Sequence, residues 1–144
     1  MVRAIRLFLF PVLVIVIVQS SPSYANDWME QLKRVYAWSE VSVLCHAKAP
    51  TYQDDWNKMK LIQDKQIIIW QRMIRDELRA ALAPEQRATF WFEQLENLAQ
   101  VWAPTQVRGM DCGPSDIEFV GKRMMADPTF ASALDMVVQE SKGR

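Results

Sequence analysis

The chain has 144 residues, half of them hydrophobic, and its 17 Lys and Arg balance 17 Asp and Glu. A chain this apolar is not intrinsically disordered. One without net charge has no whole-surface electrostatic reason to seek nucleic acid or anionic lipid.

Arg3 and Arg6 open the chain with positive charge, and a charge-free apolar run follows from Leu7 to Val18. Ser23-Tyr24-Ala25 then sets small residues at the two positions a signal peptidase reads. The pattern predicts a cleaved secretory signal over residues 1–25, with cleavage between Ala25 and Asn26 and delivery to the periplasm or beyond. The alternative is an uncleaved inner-membrane anchor formed by residues 7–18. Spanning the hydrocarbon core takes roughly 20 apolar residues; this run is shorter, and Pro11 interrupts it. No later stretch approaches that length, so no integral span is expected in the mature chain. Residues 26–144 then form a single helical domain, slightly acidic once Arg3 and Arg6 are removed. It is long enough to bury about two thirds of the surface of its unfolded chain.

Asn26 or Asp27 can cap a first helix, with Glu30 suited to its opening turn. Trp28, Leu32, Val35, Ser42 and Cys45 recur at helical steps along one stripe, and Pro50 ends the helix near Ala47. Thr51 starts a second helix. From there to Ala83 the chain lacks both Gly and Pro, which predicts one long helix of about 30 residues and about 45 Å. Trp56, Met59, Ile67, Trp70, Ile74, Leu78 and Ala81 would line its inner side. Pro84 opens a third helix with the stripe Trp91, Leu95, Leu98 and Trp102. The very short link Leu82-Ala83-Pro84 predicts that helices two and three fold back as an antiparallel hairpin. Ala103 to Pro114 reads as a loop. Ser115 with Glu118 has capping-box spacing for a fourth helix. Asp127-Pro128 marks the start of a fifth, which packs Phe130, Leu134, Val137 and Val138. The expected fold is all-α: a compact antiparallel bundle of four to five helices with one long central helix.

Cys45 and Cys112 are the only cysteines. An even pair in an exported chain most simply forms one disulfide. Closing a loop of roughly 68 residues stabilises by up to about 4 kcal/mol. The lone His46 follows Cys45. A metal site would need Cys45, His46, Asp111 and Cys112 to converge and would forgo the disulfide, so no metal is expected. Covalent haem is not expected either, because Ser42 stands where its attachment motif has the first cysteine. No catalytic set is visible, because any histidine-based triad must use His46 beside an oxidised cysteine. The acid pairs Asp54-Asp55 and Asp76-Glu77 point in different directions on a helix. Gly109 and Gly113 are turn residues, not a phosphate loop. Neither a cofactor nor an enzymatic activity is expected.

Two surface signals remain. Lys58, Lys65, Arg72 and Arg79 fall seven residues apart, with Arg75 nearby, and would form a basic stripe about 31 Å long. An acidic protein partner could lie along it; a solvated face is the simpler alternative. Six tryptophans exceed the evident needs of a core this size, so one or two could sit at a contact surface; packing of all six in the core is the simpler alternative. The segment Leu82-Ala83-Pro84-Glu85-Gln86-Arg87 resembles the Leu-Thr-x-x-Gln motif of the Spy/CpxP family of periplasmic helical chaperones, with Ala83 where that family has threonine. That resemblance implies a chaperone-like or stress-response role. The residues themselves point to an exported, non-catalytic protein-interaction module or accessory factor that binds another protein. A small-ligand carrier or enzyme is the remaining alternative.

Overall fold

A computed structural model of the chain describes residues 24–77 and 88–143. The leader reading over residues 1–23, the Leu82–Arg87 motif, the short interhelical link, and Leu78, Arg79 and Ala81 lie outside these residues. The described residues form five α-helices and one 3-10 turn, with no strand. Helix α1 spans Tyr24–Lys48, a 3-10 turn spans Pro50–Tyr52, and α2 spans Gln53–Glu77. Helix α3 spans Ala88–Val107, α4 Pro114–Met125 and α5 Phe130–Lys142. Among the described residues no helix is long and apolar enough to cross a membrane.

The central hairpin is α1 with α2, not α2 with α3. Pro50 stops α1, and the turn reverses the chain through hydrogen bonds from Ala49 N to Cys45 O and from Tyr52 N to Ala49 O. Helix α3 packs chiefly on α1 and touches α2 only lightly, while α5 packs on α2. The reason lies in α1, which is lined along its length by buried Leu32, Val35, Tyr36, Val41 and Cys45. It can therefore serve two partners at once.

The core has two apolar clusters. One holds Val41, Cys45, Ala49, Trp56, Ala103, Val107, Cys112, Val120 and Met124. The other holds Leu32, Val35, Tyr36, Trp70, Ile74, Leu95 and Ala99. Between them along α1 and α2 lie buried Ser39, Gln63 and Gln66, and buried Ser42 sits within the first cluster's stretch of α1. The inner face of α2 thus uses two glutamines where a purely apolar stripe was expected, and Ile68 is exposed. Gln66 Nε2 donates to Met124 O at 3.1 Å. Both amide atoms of Gln63 and the Oε1 of Gln66 find no partner among the described residues.

Cys45 and Cys112 stand at disulfide distance, with Cα atoms 5.2 Å apart and both side chains fully buried. Cys112 has φ 57°, the left-handed region, and it is the only non-glycine to do so among the described residues. Such a conformation costs roughly 1–3 kcal/mol and persists where the surroundings hold it. Here Asp116 Oδ2 accepts from Cys112 N at 2.7 Å, and Trp56 Nε1 donates to Cys112 O at 2.9 Å. The turn's special position is therefore filled by the cysteine and not by Gly109 or Gly113.

Three local expectations are corrected. The expected loop from Ala103 is helical as far as Val107, with Pro104 inside α3. Buried Ala103 and Val107 hold this last turn against the core. Lys48 Nζ, donating to Val107 O at 3.0 Å and Met110 O at 2.6 Å, satisfies its carbonyls. Helix α4 starts on Pro114 after extended Gly113, with no side-chain cap. Glu118 instead pairs with Lys122 at 2.6 Å, which holds its carboxyl below the usual range. Helix α5 starts at Phe130 rather than Pro128, because Asp127 turns its carboxylate onto Thr129 N at 2.9 Å and onto the Thr129 hydroxyl. The same carboxylate accepts from Trp70 Nε1 at 3.1 Å, which ties the α4–α5 corner to α2.

Candidate functional site

The tryptophans divide by environment. Trp56 and Trp70 are buried with their N–H groups satisfied. Trp38 of α1 and Trp102 of α3 are half-buried and meet edge to face, with centroids 5.3 Å apart. Trp38 meets Phe119 of α4 in the same way at 5.4 Å. The result is a row of rings across three helices, in the edge-to-face geometry that aromatic quadrupoles favour.

Exposed apolar side chains lie on the helices that carry this row. Leu98 lies one turn before Trp102 on α3 and is 62% exposed; Val101 is 77% exposed. Phe119 is also exposed. At the other end, the Arg123 guanidinium stacks 4.3 Å from the centroid of Phe119 and 5.0 Å from that of Trp38. In this cation–π arrangement the charged head itself lies over the rings of exposed Phe119 and half-buried Trp38. Beside Arg123, a cavity of about 120 Å³ is lined by residues that include Gln31, Arg34, Trp38, Arg123, Met124 and Asp127. The surface thus runs from an apolar end on α3, across aromatic rings, to a basic pocket between α1 and the end of α4.

The expected basic stripe on α2 is broken up by local pairing. Lys58 lies 3.8 Å from Asp55. Lys65 is only 17% exposed and is hydrogen-bonded to Glu140, which joins α2 to α5. Lys60, not part of the stripe, pairs with Asp64. Arg72 and Arg75 are exposed and have no ion-pair partner among the described residues. Lys65 is therefore an interhelix tie, while Arg72 and Arg75 remain exposed.

Among the described residues no group of three or more His, Cys, Asp and Glu side chains could hold a metal ion. His46 is half-buried in the last turn of α1.

The tryptophan surplus points to a contact surface but not to the rings that form it, and nothing in the sequence reading singles out Phe119 or Arg123. Their spacing of four residues was the available signal, since it stacks a cation over a ring on one helical face. Arg34 and Trp38 share that spacing on α1.

Compared with protein-family models, curated proteins and solved structures, the chain matches none.

Proposed function

We propose that the chain is an exported, non-catalytic helical protein that binds another protein through the surface shared by α1, α3 and α4. The observation that carries this reading is the row of rings Trp102, Trp38 and Phe119, half-buried to exposed, with exposed Leu98 and Val101 on the same helix as Trp102. Contiguous exposed apolar surface rimmed by charge marks interaction sites, and aromatic and arginine side chains dominate binding energy at them. Arg72 and Arg75 on α2 offer a second, basic contact. Export is supported by the leader pattern and by a buried cysteine pair at disulfide distance, and the bridge would form in the oxidising compartment.

The test is a photo-crosslinking side chain placed at Val101 in secreting cells, with Ile68 of α2 as the exposed control. A dedicated partner gives one discrete product from position 101, lost in Leu98→Glu/Trp102→Ala, and none from position 68. A chaperone-like protein instead gives a smear from position 101. It also suppresses light scattering by several unrelated unfolding proteins, and the same variant abolishes that suppression. Equal labelling from both positions, indifferent to the variant, would rule this surface out as the binding face.

A further inference from the structure

The cavity beside Arg123 carries a more specific reading of that surface, and it rests on the proposed interaction role. Arg34 and Arg123 both line it. Neither guanidinium has an ion-pair partner among the described residues, although the Glu30 carboxylate, paired with Lys33, also acts electrostatically on Arg34. Asp127 also lines the cavity. Its oxygens are occupied by donors from Trp70 Nε1, Thr129 N and the Thr129 hydroxyl, so it is tied into the fold and not to the arginines. Two guanidiniums and one carboxylate give the lining itself a net charge of one positive, with exposed Glu30 acting on Arg34 from outside it. Gln31 adds a neutral polar group, while Trp38, Val35 and Met124 supply apolar wall. The volume of about 120 Å³ is comparable to cavities that hold a single benzene-sized group.

We propose that this cavity binds a carboxylate carried next to an apolar or aromatic group on a polypeptide partner. A monoanion matches the net positive charge of the lining, whereas a phosphate dianion would exceed it beside the Asp127 carboxylate. The planar guanidinium fork of an arginine matches carboxylate geometry. The ring wall of Trp38 takes the adjacent apolar group. That wall continues into the exposed rings, so the rest of the partner's chain would lie across Trp102 toward Leu98. The carboxylate anchors, and the aromatic row extends the contact.

The test is titration of the purified protein with three N-acetylated tripeptides, read by calorimetry and by the indole N–H resonance of Trp38. The first ends in phenylalanine with a free carboxylate. The second is its carboxamide. The third is a carboxamide with glutamate before the phenylalanine. Binding of the first but not the second assigns the pocket to a chain terminus, and binding of the third assigns it to an acidic side chain. Arg34→Gln and Arg123→Gln should each weaken whichever peptide binds by about tenfold or more. Arg123→Lys, which retains the charge and loses the fork, should weaken it by less. Unchanged far-ultraviolet circular dichroism shows that the variants are folded. Equal binding of acid and carboxamide, or competition by inorganic phosphate at similar concentration, overturns the proposal. Failure of all three peptides overturns it too, while crosslinking from position 101 tests the wider surface separately.

Discussion

Removing the Asp127 carboxylate should destabilise the fold more than its position at a helix corner suggests. Asp127 is 5% exposed and Trp70 1%. One carboxylate serves three donors: the Trp70 indole, the Thr129 amide and the Thr129 hydroxyl. In Asp127→Ala the hydroxyl can rotate to a new acceptor, but the indole and the amide are fixed by ring packing and by the α5 start. Two buried donors left unpaired cost about 1–3 kcal/mol each. Relief from burying a charge offsets part of this, so a net loss of about 3 kcal/mol is expected. Asp127→Asn keeps one oxygen and loses the charge. Because charge-assisted hydrogen bonds are roughly twice as strong as neutral ones, its loss should be about 1 kcal/mol.

The assay is urea unfolding followed by circular dichroism at the helical band, which avoids confusing indole removal with unfolding. A double-mutant cycle isolates the bond itself. Trp70→Phe removes the donor, so Asp127→Ala in that background should cost about 1–2 kcal/mol less than in the native chain. If Asp127→Ala costs under about 0.5 kcal/mol, or the cycle shows no coupling, the corner is not held as described.

The remaining predictions concern other buried groups. Replacing Cys45 and Cys112 together by serine should lower stability by up to about 4 kcal/mol, because a separation of 67 residues is left unconstrained in the unfolded chain; urea midpoints with and without reductant check this, and a reductant-insensitive native midpoint would refute it. Gln63→Leu should raise the urea midpoint by about 1–2 kcal/mol equivalent, since both amide atoms are buried and unpartnered; a destabilised variant would mean that Gln63 is satisfied. The Tyr36 hydroxyl is held above the ordinary tyrosine value of 10.0, first by burial and then by the Glu96 charge, with the Gln71 hydrogen bond opposing. Its contribution is therefore full below about pH 10 and is lost as pH rises through the folded-state value. Tyr36→Phe should flatten the alkaline limb of the stability–pH curve and leave the neutral region nearly level. An unchanged alkaline limb would refute this.

Helix existence was legible along most of the chain because apolar residues recur at helical steps and because proline punctuates the joins. The cysteine pairing was legible because only one intramolecular pair can form. The link between α2 and α3 lies outside the described residues; what the sequence did not show is that α1, not α3, is the main partner of α2, because a short connection suggests adjacency without saying how tightly two helices pack. Helix α1, with apolar residues on more than one side, competes successfully for α3. The core face of α2 was misread at Gln63 and Gln66, where helical phase outranks side-chain polarity. The caps were legible in part. Asp127 does hold a backbone amide two residues on, but the helix begins later, at Phe130; Asp116 reaches back to Cys112 N, whereas Ser115 and Glu118 have the right spacing and no such bond.

The proposed surface and the cysteine pair belong to one physical unit. Trp38 and Trp102 pack against the cluster that contains Cys45 and Cys112, and so do Ile117 and Phe130. Trp56, at its centre, donates to the carbonyl of Cys112. The second cluster contains neither cysteine and is held by Trp70, Leu95 and their neighbours. Opening the bridge therefore loosens first the end of the molecule that carries the aromatic row, while the buried glutamines separate that end from the other. On the proposed reading, closing the bridge would firm the floor beneath the row, so display of the rings to a partner would follow thiol oxidation. The ring resonances of Trp38 and Trp102 should accordingly broaden on reduction at urea concentrations that leave Trp70 sharp, and simultaneous broadening of all three would show that the two clusters unfold as one.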